Sequence, residues 1–349
     1  MRQEIKKNKY SFLNIIQQEN KIDKNKYELI RKKIKEFEEN NFLINEKNKS
    51  LFVYQQIDNK KNKFTGLICT IDTKDYLEGK IKIHEHTIKK RELLFSKYLA
   101  GTKIHAEPVL LTYNSNIDFI QNKHMSNKQL VFSFKTNDEK LHSVWRISDE
   151  KEIQKIQFFF SKLKNLYIAD GHHRLASSAS NQSNGKCLAY IVPKSALITH
   201  PFHRYVKTNM RLVKKFKDSF KIEKIENPQN YSDEIQFYNN KKWYRIIETN
   251  KMESCNLMIQ KITNNIFQKI LKISDERTSE SVEFVPGNQD INLIINKLKS
   301  SEEVLFYLKP ISIDEIIKLA DQNQTTPAKS TFILPKIPSG LIMMKINEL

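Results

Sequence analysis

Apolar residues recur along this chain with two different periods, and together the periods predict alternating helices and strands. Helical spacing appears at 26–39, 91–99 and 149–163. The first of these helices places four apolar residues on one face: Tyr27, Ile30, Ile34 and Phe37. We expect Asp23 to cap it. Strand-like apolar runs occupy 51–55, 64–71, 81–83, 108–113, 130–134, 144–147, 166–169 and 187–193. The alternation from 81 to 192 favours an α/β core.

The pattern changes after residue 205, which predicts a domain boundary there. Residues 1–205 would form the α/β core, with helical and hairpin elements at its start, and 72–80 would be a turn and linker. Residues 206–349 show helices and short strands, the clearest at 243–247, and predict an α+β domain. Its last part, 327–336, is extended between prolines.

Composition limits the classes of protein to consider. The 349 residues are enough to bury two cores. The sequence contains no run of eighteen apolar residues, so no membrane span is predicted. The start lacks the apolar segment of a secretory signal, and three scattered cysteines suit a reducing, cytoplasmic setting. The net charge of +19 could indicate nucleic acid. Its lysines, however, are spread along the chain among many Asn and Ile residues, which favours compositional drift over a nucleic-acid surface.

The most informative stretch lies at 166–180, where an apolar strand, a polar turn and an Ala-rich helix from Leu175 follow one another. The turn combines Asp170, Gly171, His172, His173 and Arg174. A helix that opens directly after a strand presents backbone N–H groups at its positive end, which suits a phosphate. Gly171 would admit the phosphate, and Arg174 would bind it through two hydrogen bonds. Asp170 would bind magnesium or accept a hydrogen bond from a hydroxyl group. The alternative is an ordinary corner, with Asp170 as a helix cap and the histidines as half-exposed surface groups.

A second polar corner, at 84–87, precedes the predicted helix at 91–99. Glu85 is a candidate general base, with His84 as its orienting neighbour. The alternative is that Glu85 lies in the first turn of a helix and only interacts favourably with the helix dipole. On position alone, this alternative is slightly stronger.

Several other residues are weaker candidates. The histidine pairs 84 and 86, 172 and 173, and 200 and 203 could form a metal centre, but no Cys and no His-x-x-x-His pair accompanies them. His203 and Arg204 are weak candidates for contact with an anionic substrate. The tail adds basic and hydroxyl side chains of the same kind, with a solvated tail as an equal alternative: Lys329, Ser330, Thr331 and Lys336.

With these motifs in place, the chain resembles the domain-of-unknown-function 1015 family. The motifs that carry the resemblance are 167–174, His84-Glu85-His86-Thr87, Trp145-Arg146-Ile147 and the tail at 327–331 and 335–336. The family's loop is similar to the Asp-Gly-His-His-Arg loop of free serine kinases of the ParB/sulfiredoxin-like superfamily.

This resemblance implies a ParB/sulfiredoxin-like α/β core with a mixed sheet, an adenine nucleotide (ATP or ADP), magnesium and a small hydroxyl-bearing metabolite such as serine. Glu85 would be the base on the hydroxyl, and residues 170–174 would form the phosphate loop. A non-catalytic nucleotide- or DNA-binding module is the rival interpretation. The sequence lacks the Pro-Pro-Tyr-Asp loop that family members carry near their start, and Leu94-Phe95 stands where many have Asp-Arg. Arg91 is a possible substitute.

Overall fold

A computed structural model describes residues 10–16, 25–115, 129–180, 185–208, 211–230, 232–248, 252, 257–298, 300–327 and 329–346. The chain divides into two compact units. The first, here the core unit, comprises Met1–Leu197 and Pro335–Leu349. The second, the inserted unit, comprises Ile198–Leu334. The sequence had predicted one boundary, near residue 205.

Each apolar run predicted as a strand coincides with one, and the structure contains further strands that no run predicted. In chain order they are β1 (Leu51–Ile57), β2 (Lys63–Asp72), β3 (Ile81–Lys82), β4 (Ile104–His105), β5 (Val109–Tyr113), β6 (Gln129–Lys135), β7 (Leu141–Ile147), β8 (Leu166–Asp170), β9 (Lys186–Pro193), β10 (Ile198–Lys207), β11 (Lys221–Ile225), β12 (Ile235–Asn239), β13 (Lys242–Glu248), β14 (Val282–Pro286), β15 (Glu303–Tyr307), β16 (Thr331–Leu334) and β17 (Met344–Lys345).

The helices are α1 (Leu13–Ile16), α2 (Lys26–Glu39), α3 (Thr73–Leu77), α4 (Lys89–Thr102), α5 (Glu150–Ser161), α6 (His172–Ser180), α7 (Leu212–Ser219), α8 (Met258–Ile262), α9 (Ile291–Ile295) and α10 (Ile313–Asp321). A π-helical turn, Thr263–Gln268, continues α8. In the described ranges, no helix is both long and apolar enough to cross a membrane.

The core unit is an α/β structure with a large mixed sheet. Among the described residues this sheet has eight strands in the order β3-β8-β5-β9-β2-β1-β7-β6. The pairs β3–β8 and β5–β9 are parallel, and the other neighbours are antiparallel. The central strands are apolar because helices cover them: Val109 and Leu111 of β5 and Ile168 of β8 are fully buried.

Helix α2 confirms the helix predicted from its spacing. Its buried residues are Ile30, Ile34 and Phe37, which share the predicted face. The residue before the helix is Asn25, whereas Asp23, the predicted cap, lies outside the described residues.

Two local predictions in the core unit were wrong. The segment predicted as a linker contains α3, which begins there because the Asp72 carboxylate accepts a hydrogen bond from the Lys74 N–H at 2.9 Å. The spacing at 91–99 predicted an amphipathic helix, yet Leu93 and Leu94 of α4 are 53% and 56% exposed. Its buried residues are Leu99 and Thr102.

The inserted unit is built on a second, antiparallel sheet. Its strand order is β11-β13-β12-β15-β10-β14, and β16 also pairs with β10. In that last pair Ile198 lies opposite Leu334, so the two ends of the inserted unit are neighbours. Phe216 of α7, Phe237 of β12 and Phe306 of β15 are fully buried and pack together as aromatic pairs.

Candidate active site

The two polar corners identified in the sequence meet at one edge of the mixed sheet. Strand β3 pairs in parallel with β8, with Ile81 opposite Leu166 and Lys82 opposite Tyr167. Both strands therefore end at the same edge of the sheet. Residues 84–88 follow β3 there, and residues 170–174 end β8 and begin α6. The ring centroids of His84 and His172 are 4.5 Å apart in an edge-to-face arrangement.

Gly171 forms the turn between β8 and α6. Helix α6 begins at His172, three residues earlier than the Ala-rich pattern predicted. Gly171 has φ +97°, a conformation that side-chain-bearing residues rarely adopt. A Cβ here would also lie 3.1 Å from Nε of Arg174, because the guanidinium folds back across the glycine. His172, His173 and Arg174 thus occupy the first turn, whose N–H groups have no partner within the helix.

Arg174 joins the strand-to-helix corner to the segment before β5. Its Nη2 donates to Oδ2 of Asp170 at 3.0 Å, and its Nη1 donates to the carbonyl oxygen of Pro108 at 2.5 Å. The same Nη1 lies 3.5 Å from a carboxylate oxygen of Glu107. The guanidinium is thereby fixed beside the corner, with 19% of its side chain exposed.

Asp170 has a cation on each carboxylate oxygen. Lys336 Nζ lies 2.9 Å from Oδ1, and Arg174 binds Oδ2. Burial by itself would raise the pKa of Asp170, but the charges of Lys336 and Arg174 outweigh burial and hold the pKa below its usual value. Lys336 was only a weak candidate in the sequence, and its contact with the corner was not predicted.

His84 and His172 are buried and neutral at pH 7. Burial lowers the pKa of His84 to about 4, although a hydrogen bond to the backbone of Ile168 and the charge of Asp170 act in the opposite direction. Burial, with smaller contributions from His84 and His173, holds the pKa of His172 well below its usual value. Nε2 of His172 is buried and has no hydrogen-bond partner among the described residues. The burial of His172 differs from the ordinary-corner alternative, in which both histidines of the turn are half-exposed, whereas His173 is half-buried as that alternative expects.

His173 connects the corner to helix α4. Its Nε2 accepts a hydrogen bond from the N–H of Ile88 at 2.8 Å, so the proton of the neutral ring is on Nδ1. Burial and the nearby charge of Arg91 lower the pKa of His173, which favours this neutral form. Arg91 therefore lies close enough to the corner to act on it electrostatically.

Glu85 lies between the two contacts that hold the corners together. It is half-buried, and it sits between His84, which packs on His172, and Ile88, which binds His173. Glu92, an acid that the sequence analysis did not single out, accepts a hydrogen bond from Thr87 Oγ1, and this bond lowers the pKa of Glu92 despite partial burial. Its position near the start of α4 was the available signal.

A cavity of about 110 Å³ opens beside Asp170 and is lined by Glu107, Arg174 and Lys336 among others. Since a liquid water molecule occupies about 30 Å³, this space suits a group of phosphate size rather than a whole nucleotide. Two carboxylates, Asp170 and Glu107, and two cations, Arg174 and Lys336, face one another there, so their formal charges cancel. Glu107 also was not singled out from the sequence.

The remaining candidates lie in the inserted unit. Two of them, His203 and Arg204 of β10, make contacts within that unit. His203 stacks on Tyr307 and accepts a hydrogen bond from the N–H of Leu308 at 3.1 Å. Burial lowers the pKa of His203 to about 4. Arg204 is fully buried and pairs with Glu276 at 2.6 Å.

The candidates of the tail surround the same arginine. Arg204 Nη1 donates to the carbonyl oxygens of Phe202 and Lys329, at 2.7 and 3.1 Å. Lys329 Nζ lies 4.8 Å from the centre of the Phe284 ring. Ser330 Oγ donates at 2.5 Å to the carbonyl oxygen of Pro327, and Thr331 opens β16. The tail before Pro335 is thus held within the inserted unit.

No group of three or more His, Cys, Asp or Glu side chains suited to a metal occurs in the described part of the chain. His84, His86, His172, His173, His200 and His203 therefore form no transition-metal centre within those residues. Magnesium has different needs, because it is commonly held by one or two carboxylates together with phosphate oxygens. Asp170 and Glu107 fit that smaller requirement.

Comparisons with known proteins give one family match. A family model described as "Protein of unknown function (DUF1015)" matches residues 1–283. No curated protein matches the sequence.

Solved structures show distant likenesses. SbnI with C-terminal truncation from Staphylococcus aureus is 12% identical, with a TM-score of 0.47, over 76% of this chain and 82% of that one. A mutant of free serine kinase in complex with ADP is 15% identical, with a TM-score of 0.46, over 80% and 91%. A conserved hypothetical protein from Pyrococcus furiosus is 15% identical, with a TM-score of 0.44, over 80% and 95%. Likenesses of this size do not transfer an activity.

Proposed function

The chain belongs to the DUF1015 family, as its motifs predicted, and we propose that it is a phosphotransferase of the serine-kinase type with a ParB/sulfiredoxin-like core. It would move a phosphoryl group from an adenine nucleotide, ATP or ADP, to the hydroxyl of serine or a similar small metabolite. The observation that carries the proposal is the meeting of two corners: Asp170, Arg174 and Lys336 surround a phosphate-sized cavity, and residues 84–88 pack against the same corner.

The phosphate-binding part of the proposal rests on the strand-to-helix corner. Arg174 and Lys336 supply the positive charge, and the first-turn N–H groups of α6 point out of the helix at its positive end. Gly171 keeps the backbone approachable. His172 and His173 are neutral, so their part would be to position the corner and donate hydrogen bonds rather than to supply charge.

The chemical step would use Glu85. Its carboxylate would take the proton of the substrate hydroxyl while the hydroxyl oxygen forms a bond to the terminal phosphorus of the nucleotide. The bond from that phosphorus to the bridging oxygen breaks, and the nucleotide leaves one phosphate shorter. His84, packed against His172, would hold the residue next to it in place.

Magnesium is part of the proposal because the formal charges of the four charged side chains at the cavity sum to zero. A free nucleotide would meet Asp170 and Glu107 as like charges, whereas a magnesium nucleotide brings a cation that these carboxylates attract. Bound there, magnesium would neutralise negative charge on the transferring phosphate. The rival interpretation, a non-catalytic nucleotide- or DNA-binding module, has no observation in its favour that the phosphotransferase lacks.

Purified protein incubated with serine, magnesium and either ATP or ADP tests the activity. We expect phosphoserine together with ADP or AMP, and we expect Glu85→Gln to abolish turnover while nucleotide affinity stays within about twofold of wild type. Glu150→Gln, at the exposed start of α5, is the control. Full activity of Glu85→Gln would remove Glu85 as the base.

Nucleotide binding is tested separately by calorimetry. Arg174→Ala should weaken binding of the magnesium nucleotide by about tenfold or more, because it removes a charge-assisted contact to phosphate. Arg146→Ala is the matched control, since Arg146 is likewise paired with an acid, Glu46 at 2.7 Å, on strand β7. Unchanged affinity of Arg174→Ala would contradict the phosphate-binding role.

A further inference from the structure

A larger, mainly apolar cavity lies in the core unit. Its volume is about 450 Å³, and its walls include Tyr27 of α2 and Leu94, Phe95 and Tyr98 of α4. Ligand pockets lined mainly by apolar and aromatic side chains usually have volumes of about 300–1,000 Å³. The cavity is therefore large enough for an organic group, and its aromatic walls favour a flat one.

This apolar cavity adjoins the phosphate-sized cavity. Glu107 and Arg174 line both spaces. The guanidinium of Arg174 points with Nη2 to Asp170, while Nη1 lies against Glu107 and the carbonyl of Pro108. A ligand that fills both spaces would therefore carry a charged or polar group at one end and a flat apolar group at the other, with Arg174 between them.

We propose that the apolar cavity binds the purine base of the nucleotide whose phosphates the strand-to-helix corner holds. This inference rests on the proposed function, and it assigns the base to side chains that lie outside the two corners, among them Leu94, Phe95 and Tyr98 of α4. Serine is too small and too polar to explain these walls. A base, in contrast, can stack on aromatic side chains, a contact that is favourable for every nucleobase.

The inference also accounts for the exposed apolar residues of α4. Leu94 is 56% exposed and Phe95 36% exposed, although both would gain by burial. Both line the cavity, so a bound base would cover them. Leu93, the preceding residue of the same helix, is similarly exposed at 53% and is not among the cavity's lining residues.

The test compares the binding of magnesium ADP and of magnesium pyrophosphate, which lacks the base. We expect wild type to bind ADP at least about tenfold more tightly than pyrophosphate, from stacking and burial of the base. The double variant Leu94→Asn/Phe95→Asn should lose most of that difference while its pyrophosphate affinity stays unchanged. Leu93→Asn is the matched control, because it makes the same polar, uncharged change one residue away, and it should behave as wild type.

The outcomes separate the two proposals. If wild type binds ADP and pyrophosphate equally well, or if the double variant keeps the wild-type preference for ADP, the base site is wrong and the phosphate site stands. If wild type binds neither ligand, the nucleotide site itself is wrong. Thermal unfolding of each variant without ligand checks that the substitutions, which are all at exposed positions, leave the fold intact.

Discussion

Lys336 Nζ lies 2.9 Å from Oδ1 of Asp170, and this contact attaches the last segment of the chain to the corner that begins α6. The two residues are 166 positions apart, and the whole inserted unit separates them in sequence. The proposed phosphate site therefore draws its charges from both segments of the core unit.

Replacing Lys336 should weaken nucleotide binding. In Lys336→Met one of the two cations beside Asp170 is lost, so we expect the affinity for magnesium ADP to fall by about tenfold. The pKa of Asp170 should rise at the same time, because the charge of Lys336 helps to lower it. Lys345→Met is the control: Lys345 belongs to the same C-terminal segment and pairs with Glu38 at 2.7 Å. Equal affinities of the two variants, measured by calorimetry, would contradict the role of Lys336.

Gly171→Ala should affect both stability and binding. A non-glycine residue at φ +97° costs about 1–2 kcal/mol, and the added Cβ, 3.1 Å from Nε of Arg174, would push against the guanidinium that contacts Asp170. Gly79→Ala provides the comparison, since Gly79 has φ +76° but open space around a Cβ. Chemical denaturation should show similar strain in both variants, whereas nucleotide affinity should fall only in Gly171→Ala. Loss of affinity in both would show that strain alone is responsible.

Arg204→Met should strongly destabilise the protein. Arg204 is fully buried, and its removal leaves the Glu276 carboxylate, which is 8% exposed, without its cation. Breaking one side of a buried pair costs about 3–5 kcal/mol. Arg245→Met, which breaks the partly exposed contacts with Glu223 and Glu234 in the same unit, should cost less than about 1 kcal/mol. Urea unfolding measures the free energy of unfolding of both variants. Equal losses in the two would show that the buried pair contributes no more to stability than the partly exposed one.

The buried histidines should make the protein less stable in mild acid. His84 has a folded pKa of about 4, below the value of about 6.5 in an unfolded chain. Between these values the unfolded chain binds a proton that the folded chain does not, so stability falls as the pH falls from 6.5 towards 4. From pH 7 to pH 5 one such histidine costs about 2 kcal/mol.

The variant His84→Gln removes that contribution, so its free energy of unfolding should fall less than that of wild type between pH 7 and pH 5. The difference between the two falls should be about 2 kcal/mol. Denaturant unfolding at the two pH values measures it, and a fall as large as in wild type would show that His84 does not titrate as its burial indicates.

Local patterns in the sequence predicted the strands of the mixed sheet and helix α2 well, because burial imposes a pattern on the apolar residues. Most strands of the inserted unit were not predicted. Helix α6 began earlier than predicted, since His172, His173 and Arg174 carry no apolar period and enter the helix only because Gly171 forms the turn. The exposure of Leu94 was not predictable from spacing, which gives the face of a helix but not what covers it.

The candidate site was predictable only where it is local in sequence. The motif at 170–174 and the corner at 84–85 could each be identified, but their meeting depends on the parallel pairing of β3 with β8. The contact of Lys336 with Asp170 depends on the return of the chain after the inserted unit, and no local pattern indicates which strand end a distant lysine reaches. Glu92 offered one local signal, its position near the start of α4, whereas only the spatial neighbours of Glu107 single that residue out.

The insertion of one unit within the other has a consequence for the order of synthesis. A ribosome completes residues 1–197 and then the whole of Ile198–Leu334 before it makes Lys336. During that interval the nascent core unit contains Asp170 and Arg174. It does not yet contain Lys336, the second cation that pairs with Asp170. A chain that stalls within the inserted unit would consequently lack one of the charges of the proposed phosphate site.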